Sequence, residues 1–187
     1  MKRYHLSAIA LVAIFGSVNP AIAQVAMYST SAGNTRFSSE TPLENIKAEN
    51  KKCQAILNTS TGELAIRMNM HDFVFPNKLM QEHFNENYME SDKYPNATFS
   101  GRVDKVIDYT KDGEYDASAT GKFTVHGVTK SRTIRGKIKI EGNRITILSD
   151  FQVALADHKI EVPQIVFVKI ARNIEVKAQY VLAPGKK

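Results

Sequence analysis

The chain has 187 residues, with 25 basic and 19 acidic side chains, a formal charge of +6, nine phenylalanines, no tryptophan and one cysteine. A single cysteine excludes an internal disulfide and a thiolate metal cage, so stability has to come from packing. The lysines and arginines are spread along strand-like segments, with no basic helix or basic aromatic stripe, which argues against nucleic acid as a partner.

The first 23 residues read as a secretory signal peptide: Lys2 and Arg3, the apolar run Leu6 to Phe15, then Ala21-Ile22-Ala23. That apolar run is shorter than the roughly 20 residues a helix needs to cross a bilayer. Cleavage after Ala23 makes residues 24–187 one exported, soluble domain, with no cysteine at its start to carry a lipid anchor. Losing Lys2 and Arg3 leaves 23 basic against 19 acidic residues, only a mild excess.

Gln24 to Thr35 is small and polar and is expected to fray, as is the tail from Ala183 to Lys187. Strands are expected over Asn45 to Leu57, Glu63 to Met70 and Ala97 to Val106. Between the last two, Pro76 precedes a stretch from Asn77 to Met89 in which Leu79, Met80, Phe84 and Tyr88 recur at helical spacing. A short helix is expected there, capped by Asn77, with this stripe against a sheet. The clearest period of two follows: Tyr115, Ala117, Ala119, Gly121, Phe123 and Val125 alternate with polar residues. It recurs in Ile134 to Ile140 and Ile145 to Leu155, joined by the turn Glu141-Gly142-Asn143. Gln164 to Ala171 and Ile174 to Leu182 complete eight expected strands.

Eight alternating strands around one helix, with no βαβ pattern, suit an all-β sandwich or a closed barrel. Small residues on the dry faces, including Ala97, Gly101, Ala117, Ala119, Gly121 and Gly136, would leave room inside a barrel. They equally suit tight local packing or bulges. Cys53 sits in an alternating segment and reads as a small buried hydrophobe.

Three stretches carry a family resemblance. They are Phe37 with Thr41-Pro42-Leu43-Glu44, Leu79-Met80-Gln81-Glu82-His83-Phe84 running on to Tyr94-Pro95-Asn96-Ala97-Thr98-Phe99, and Gly121 to Lys130 with its His126-Gly127-Val128-Thr129 turn. Together they resemble the YceI-like family across essentially the whole exported chain. The resemblance implies an extended, lipocalin-like, eight-stranded antiparallel β-barrel with one short helix. It also implies an apolar lumen that takes a polyisoprenoid or similar long lipid in the bacterial periplasm. One departure is the opening strand, where apolar alternation before Phe37 shrinks to Val25, Met27 and Tyr28.

Read from the residues, the lumen candidates are Phe73, Phe75, Met80, Phe84, Phe99, Tyr115, Phe123, Phe151 and Val153. Head-group candidates are His83, Tyr88 and Tyr94, with Lys93 beside them; the alternative is that His83 ties the helix to a strand and that Lys93 is a solvated charge. His126 reads as a turn-fixing residue beside Gly127. The histidines show no close metal spacing, and there is no nucleophile elbow or Gly-rich phosphate loop. The reading is therefore a carrier or scavenger of a long lipid, quinone-like or isoprenoid, with no catalytic residue, metal or cofactor. Transient membrane contact and a homodimer stay open. Two alternatives remain: a filled barrel acting as a stress-response or interaction module, and an enzyme using Glu82 and His83 on a lipid-like substrate, which requires Glu82 to face the cavity.

Overall fold

Alternating apolar and polar residues roll the chain into a closed antiparallel barrel in a computed structural model that describes residues 26–163 and 168–185. The signal segment lies outside the described residues. The strands are β1 (Met27–Glu40), β2 (Asn45–Asn58), β3 (Glu63–Asn69), β4 (Asn96–Val103), β5 (Gly113–Val125), β6 (Val128–Glu141), β7 (Arg144–Ala154) and β8 (Asn173–Pro184). Each pairs with the next in chain order, and β8 closes on β1 through Phe37↔Val176 and its neighbours.

Two differences from the sequence reading concern the strands. The segment expected to fray from Gln24 to Thr35 becomes strand from Met27 onward, while Gln24 and Val25 lie outside the described residues. Its alternation is masked because register shifts between Thr30, Gly33 and Thr35 switch the buried parity from Tyr28 to Gly33 and Thr35. Conversely, Val168 to Ile170 form a turn and bend where strand was expected, and residues 164–167 lie outside the described residues. The tail also differs: β8 runs to Pro184 because Ala183 and Pro184 pair with Ser29 and Tyr28.

One end of the barrel carries the helix. Asn77 caps it, accepting from the N–H groups of Leu79 (2.9 Å) and Met80 (3.4 Å), so α1 spans Lys78–His83 and continues as a single wider turn over Phe84–Tyr88. Phe84 turns inward onto Phe37, Phe73 and Phe75, with ring centroids 5.0–5.8 Å apart. Leu79, expected on the same stripe, is 57 % exposed, because a helix this short buries only one narrow line of residues. The far end is plugged by Leu57, Ile140, Ile145 and Leu182, all buried, together with Ile107 and Tyr109 from the β4–β5 connection.

A candidate lipid-binding lumen

Inward side chains leave three apolar chambers in line along the barrel. The inner one, about 60 Å³, lies among Leu64, Phe99, Ala117, Ala119, Ile147 and Tyr180. The middle one, about 100 Å³, is walled by Phe73, Met89, Val125, Val153, Ile160 and Val176, among others. The third, about 350 Å³, opens beneath α1 between Ile46, Phe75, Met80, Tyr88, Lys169 and Ile170. Met68, Phe123 and Phe151 line both the inner and middle chambers, while Phe37, Phe84 and Ile160 line both the middle and outer ones. These shared side chains are the partitions between neighbouring chambers of one apolar series, from the helical end to the barrel's interior.

Local strand chemistry sets the width of this path. At Gly101 and Gly121, which face each other across β4 and β5, an added Cβ would meet the partner strand's backbone. Those two glycines serve close strand approach, as does Gly136 against the β7 backbone at Leu148, whereas Ala117, Ala119 and Ala178 border the inner chamber and keep it open. A buried polar cluster lies on the β1–β2–β8 wall: the Thr35 and Tyr180 hydroxyls are 2.8 Å apart, and the Cys53 thiol donates to Thr35 Oγ1 at 3.4 Å. Burial pushes the Tyr180 phenol and the Cys53 thiol above their ordinary pKa values, so both stay neutral.

The structure distributes the expected site residues unevenly. Phe99, Phe123 and Phe151 reach the inner chamber, Phe73, Phe84, Phe123, Phe151 and Val153 the middle one, and Phe75, Met80 and Phe84 the outer one. Tyr115 lines none of the three; its hydroxyl donates to the Lys111 carbonyl near the far end. Of the head-group candidates, His83 and Tyr88 border the outer chamber. Tyr94 instead packs edge-on against His126, 4.8 Å between centroids, and against Gly127, with Lys93 over its outer face. Glu82 lines an external groove with His71 and Asp92, away from the three chambers. Lumen residues not chosen as candidates from the sequence include Phe37, Met68 and Tyr180. Tyr180 had a signal, since it falls on the buried parity of Ile174 to Leu182.

Solved structures of the same shape carry very different sequences. A polyisoprenoid binding domain from Saccharophagus degradans, implicated in plant cell wall breakdown, superposes with a TM-score of 0.71 at 15% identity, covering 87% of this chain and 100% of its own. Burkholderia cenocepacia BcnA matches with a TM-score of 0.67 at 14% identity, over 81% of this chain and 96% of its own. A Campylobacter jejuni YCEI protein gives a TM-score of 0.56 at 15% identity, with both chains fully covered. Comparison with curated proteins found no match. At such identities the shared shape speaks for the fold, but the model of the YceI-like domain matches residues 16–182 of the sequence itself, and the chain therefore belongs to the YceI-like family.

Proposed function

We propose that the lumen binds one long, slender lipid, a polyisoprenoid or quinone-like chain, and that the protein acts as its carrier or scavenger in the periplasm. The observation that carries this reading is the series of three apolar chambers, each sharing apolar side chains with the next. Their narrowness favours a single extended chain over a fused-ring ligand. Each buried methylene contributes about 0.8 kcal/mol, and ordering the chain and losing its translation subtract from the sum. The description of the Saccharophagus domain as polyisoprenoid binding supports the same ligand class.

Binding is favoured over acid–base catalysis because Glu82 and His83 diverge, one onto an external groove and the other onto the outer chamber. Transient contact with a membrane is supported by exposed Leu43, Val74, Leu79 and Val168, since Leu79 lines the outer chamber and the others adjoin residues that do.

Native mass spectrometry of the protein purified from a periplasm without detergent, followed by organic extraction, tests the reading. A released isoprenoid or other long lipid is expected. Protein that stays empty after incubation with isoprenoids would overturn it in favour of a filled interaction module.

A further inference from the structure

The barrel wall is incomplete between β6 and β7. Their ladder runs from Glu141↔Arg144 only as far as Gly136↔Ser149, and the remaining halves of the two strands are unpaired with each other. At the helical end the gap is closed by the short turn Leu155–His158, whose His158 Nδ1 lies 3.1 Å from the Val128 carbonyl. A comparable gap between β2 and β3, which share only the pairs from Gln54↔Arg67 to Leu57↔Leu64, is filled by protein. There Val74 bridges to Glu49 and the side chains of Met70, Phe73 and Phe75 are buried. What crosses the β6–β7 gap is Arg132.

Arg132 shares the inward parity of Ile134, Ile138 and Ile140 on β6, so a cation occupies a position that the strand pattern reserves for apolar residues. Its Nη2 donates to the Gln152 carbonyl at 2.7 Å, which spans the gap. The guanidinium lies 5.5 Å from the Phe123 ring and 5.0 Å from the Phe151 ring, the two aromatics that separate the inner and middle chambers. Among the described residues no carboxylate lies within ion-pair distance of it; Asp157 acts on it only from farther away. Most of its five donors therefore remain available beside the lumen. On the outside, a basin bearing Arg36, Arg135, Lys137 and Lys177 against Asp116 and Asp150 meets the inner chamber at the end of the ladder. Gly136, Leu148, Ser149 and Ala178 border both spaces, so the wall there is one layer thick.

We propose that this window holds the anionic head group, a carboxylate or phosphate, of an amphiphile whose chain lies in the lumen, with Arg132 as its charge-assisted hydrogen-bond donor. The site rests on the lumen reading above and adds to it a ligand class and a second way in. A head group in the window keeps one side in water while its chain is buried, which a head group deep in the middle chamber could not do. The basic basin outside draws anions toward the window.

The test is titration calorimetry with four probes: a sixteen-carbon fatty acid, the matching alcohol, a prenyl monophosphate and its prenol. Each is titrated into the native protein, Arg132→Met and Arg132→Lys, with circular dichroism confirming each fold. The native protein is expected to prefer the acidic probe of at least one pair. Arg132→Met is expected to weaken that probe about 10–100-fold while changing its neutral partner less than about threefold, and Arg132→Lys to recover part of the loss. The pair that responds identifies carboxylate or phosphate. Equal weakening of acidic and neutral probes, or no change in either, would reduce Arg132 to a structural latch and overturn the site. A native protein that binds the neutral probes well and the acidic ones no better overturns the site and leaves the lumen intact. Binding of none of the four would sink the lumen reading and the site with it.

Discussion

The Glu90 carboxylate and the His126 ring clasp the helical end of the barrel: His126 Nε2 lies 2.9 Å from Glu90 Oε2, and both residues have positive φ, 49° and 43°. The other ring nitrogen of His126 is 3.0 Å from the His158 carbonyl, so one imidazole ties three segments together. Left-handed backbone at two non-glycine residues is costly and persists where surrounding contacts impose it. Replacement of His126 by alanine is expected to cost about 1–2 kcal/mol and to lower the thermal midpoint by roughly 2–8 °C. Replacement of Gly127 (φ 71°) by alanine should also destabilise, since its Cβ would run into the Tyr94 ring. Thermal unfolding of the two variants followed by circular dichroism checks both expectations; unchanged midpoints would show that the clasp does not hold the turn.

Acid sensitivity should trace in part to Glu49. Hydrogen bonds from Arg36 at 2.7 Å and Asn34 at 2.8 Å, with Lys51 at 3.1 Å, hold its carboxyl down at about 2. A carboxyl depressed in the folded state stabilises the fold above its unfolded pKa and loses that contribution as pH falls toward its folded value. Glu49→Gln is therefore expected to cost about 1 kcal/mol or less at pH 7, given the solvent screening of the site. The difference from the native protein should shrink between about pH 4.5 and 2. Urea unfolding at pH 7, 4 and 3 measures it, and a difference independent of pH would assign the effect to packing.

The parts of this molecule that were legible in the sequence share one property, a single unbroken period. β5, β6 and β7 alternate without bulges, and Asn77 marks the helix start because an N-cap is a local device. β1 was not legible because its bulges flip parity midway and its buried positions after Tyr28 are Gly33, Thr35 and Ser39, which carry no apolar signal. Gly33 is small because the Tyr180 ring lies over it, a contact between residues far apart in sequence. Tyr94 illustrates the limit at the site: its position after the helix suggests the mouth, yet packing against Gly127 turns it toward the β5–β6 turn. Arg132 was hidden in another way. Its parity was visible, but that the ladder beside it stops is a property of two strands together.

The aromatic group at the outer constriction should couple stability to ligand entry. Phe84 meets Phe37, Phe73 and Phe75, and it borders both the middle and outer chambers. Phe84→Ala removes a partly buried ring, and a loss of about 2–4 kcal/mol is expected. It also widens the constriction, so ligand release should accelerate more than affinity falls with apolar area alone. Stopped-flow displacement of a fluorescent lipid chain reads the release rate. A rate equal to that of the native protein would place the path elsewhere than past Phe84.

Chain length should be read by the inner chamber. Ala119 on β5 is buried and borders that chamber, whose volume of about 60 Å³ leaves little room to spare. In the native protein, affinity for a series of isoprenoids should rise with each added unit while chambers remain to be filled, then level off. Ala119→Leu places three more carbons where the end of the longest bound chain would lie. Overpacking is expected to cost about 1–3 kcal/mol of stability, a loss the barrel can survive if the neighbouring side chains yield. The plateau should then arrive one or two units earlier, with affinity for the shortest members unchanged, because these end in the outer and middle chambers. A titration series on both proteins makes the comparison. A uniform drop at every length would mean that the substitution perturbs the barrel as a whole, and an unchanged plateau would mean that ligand chains never reach Ala119.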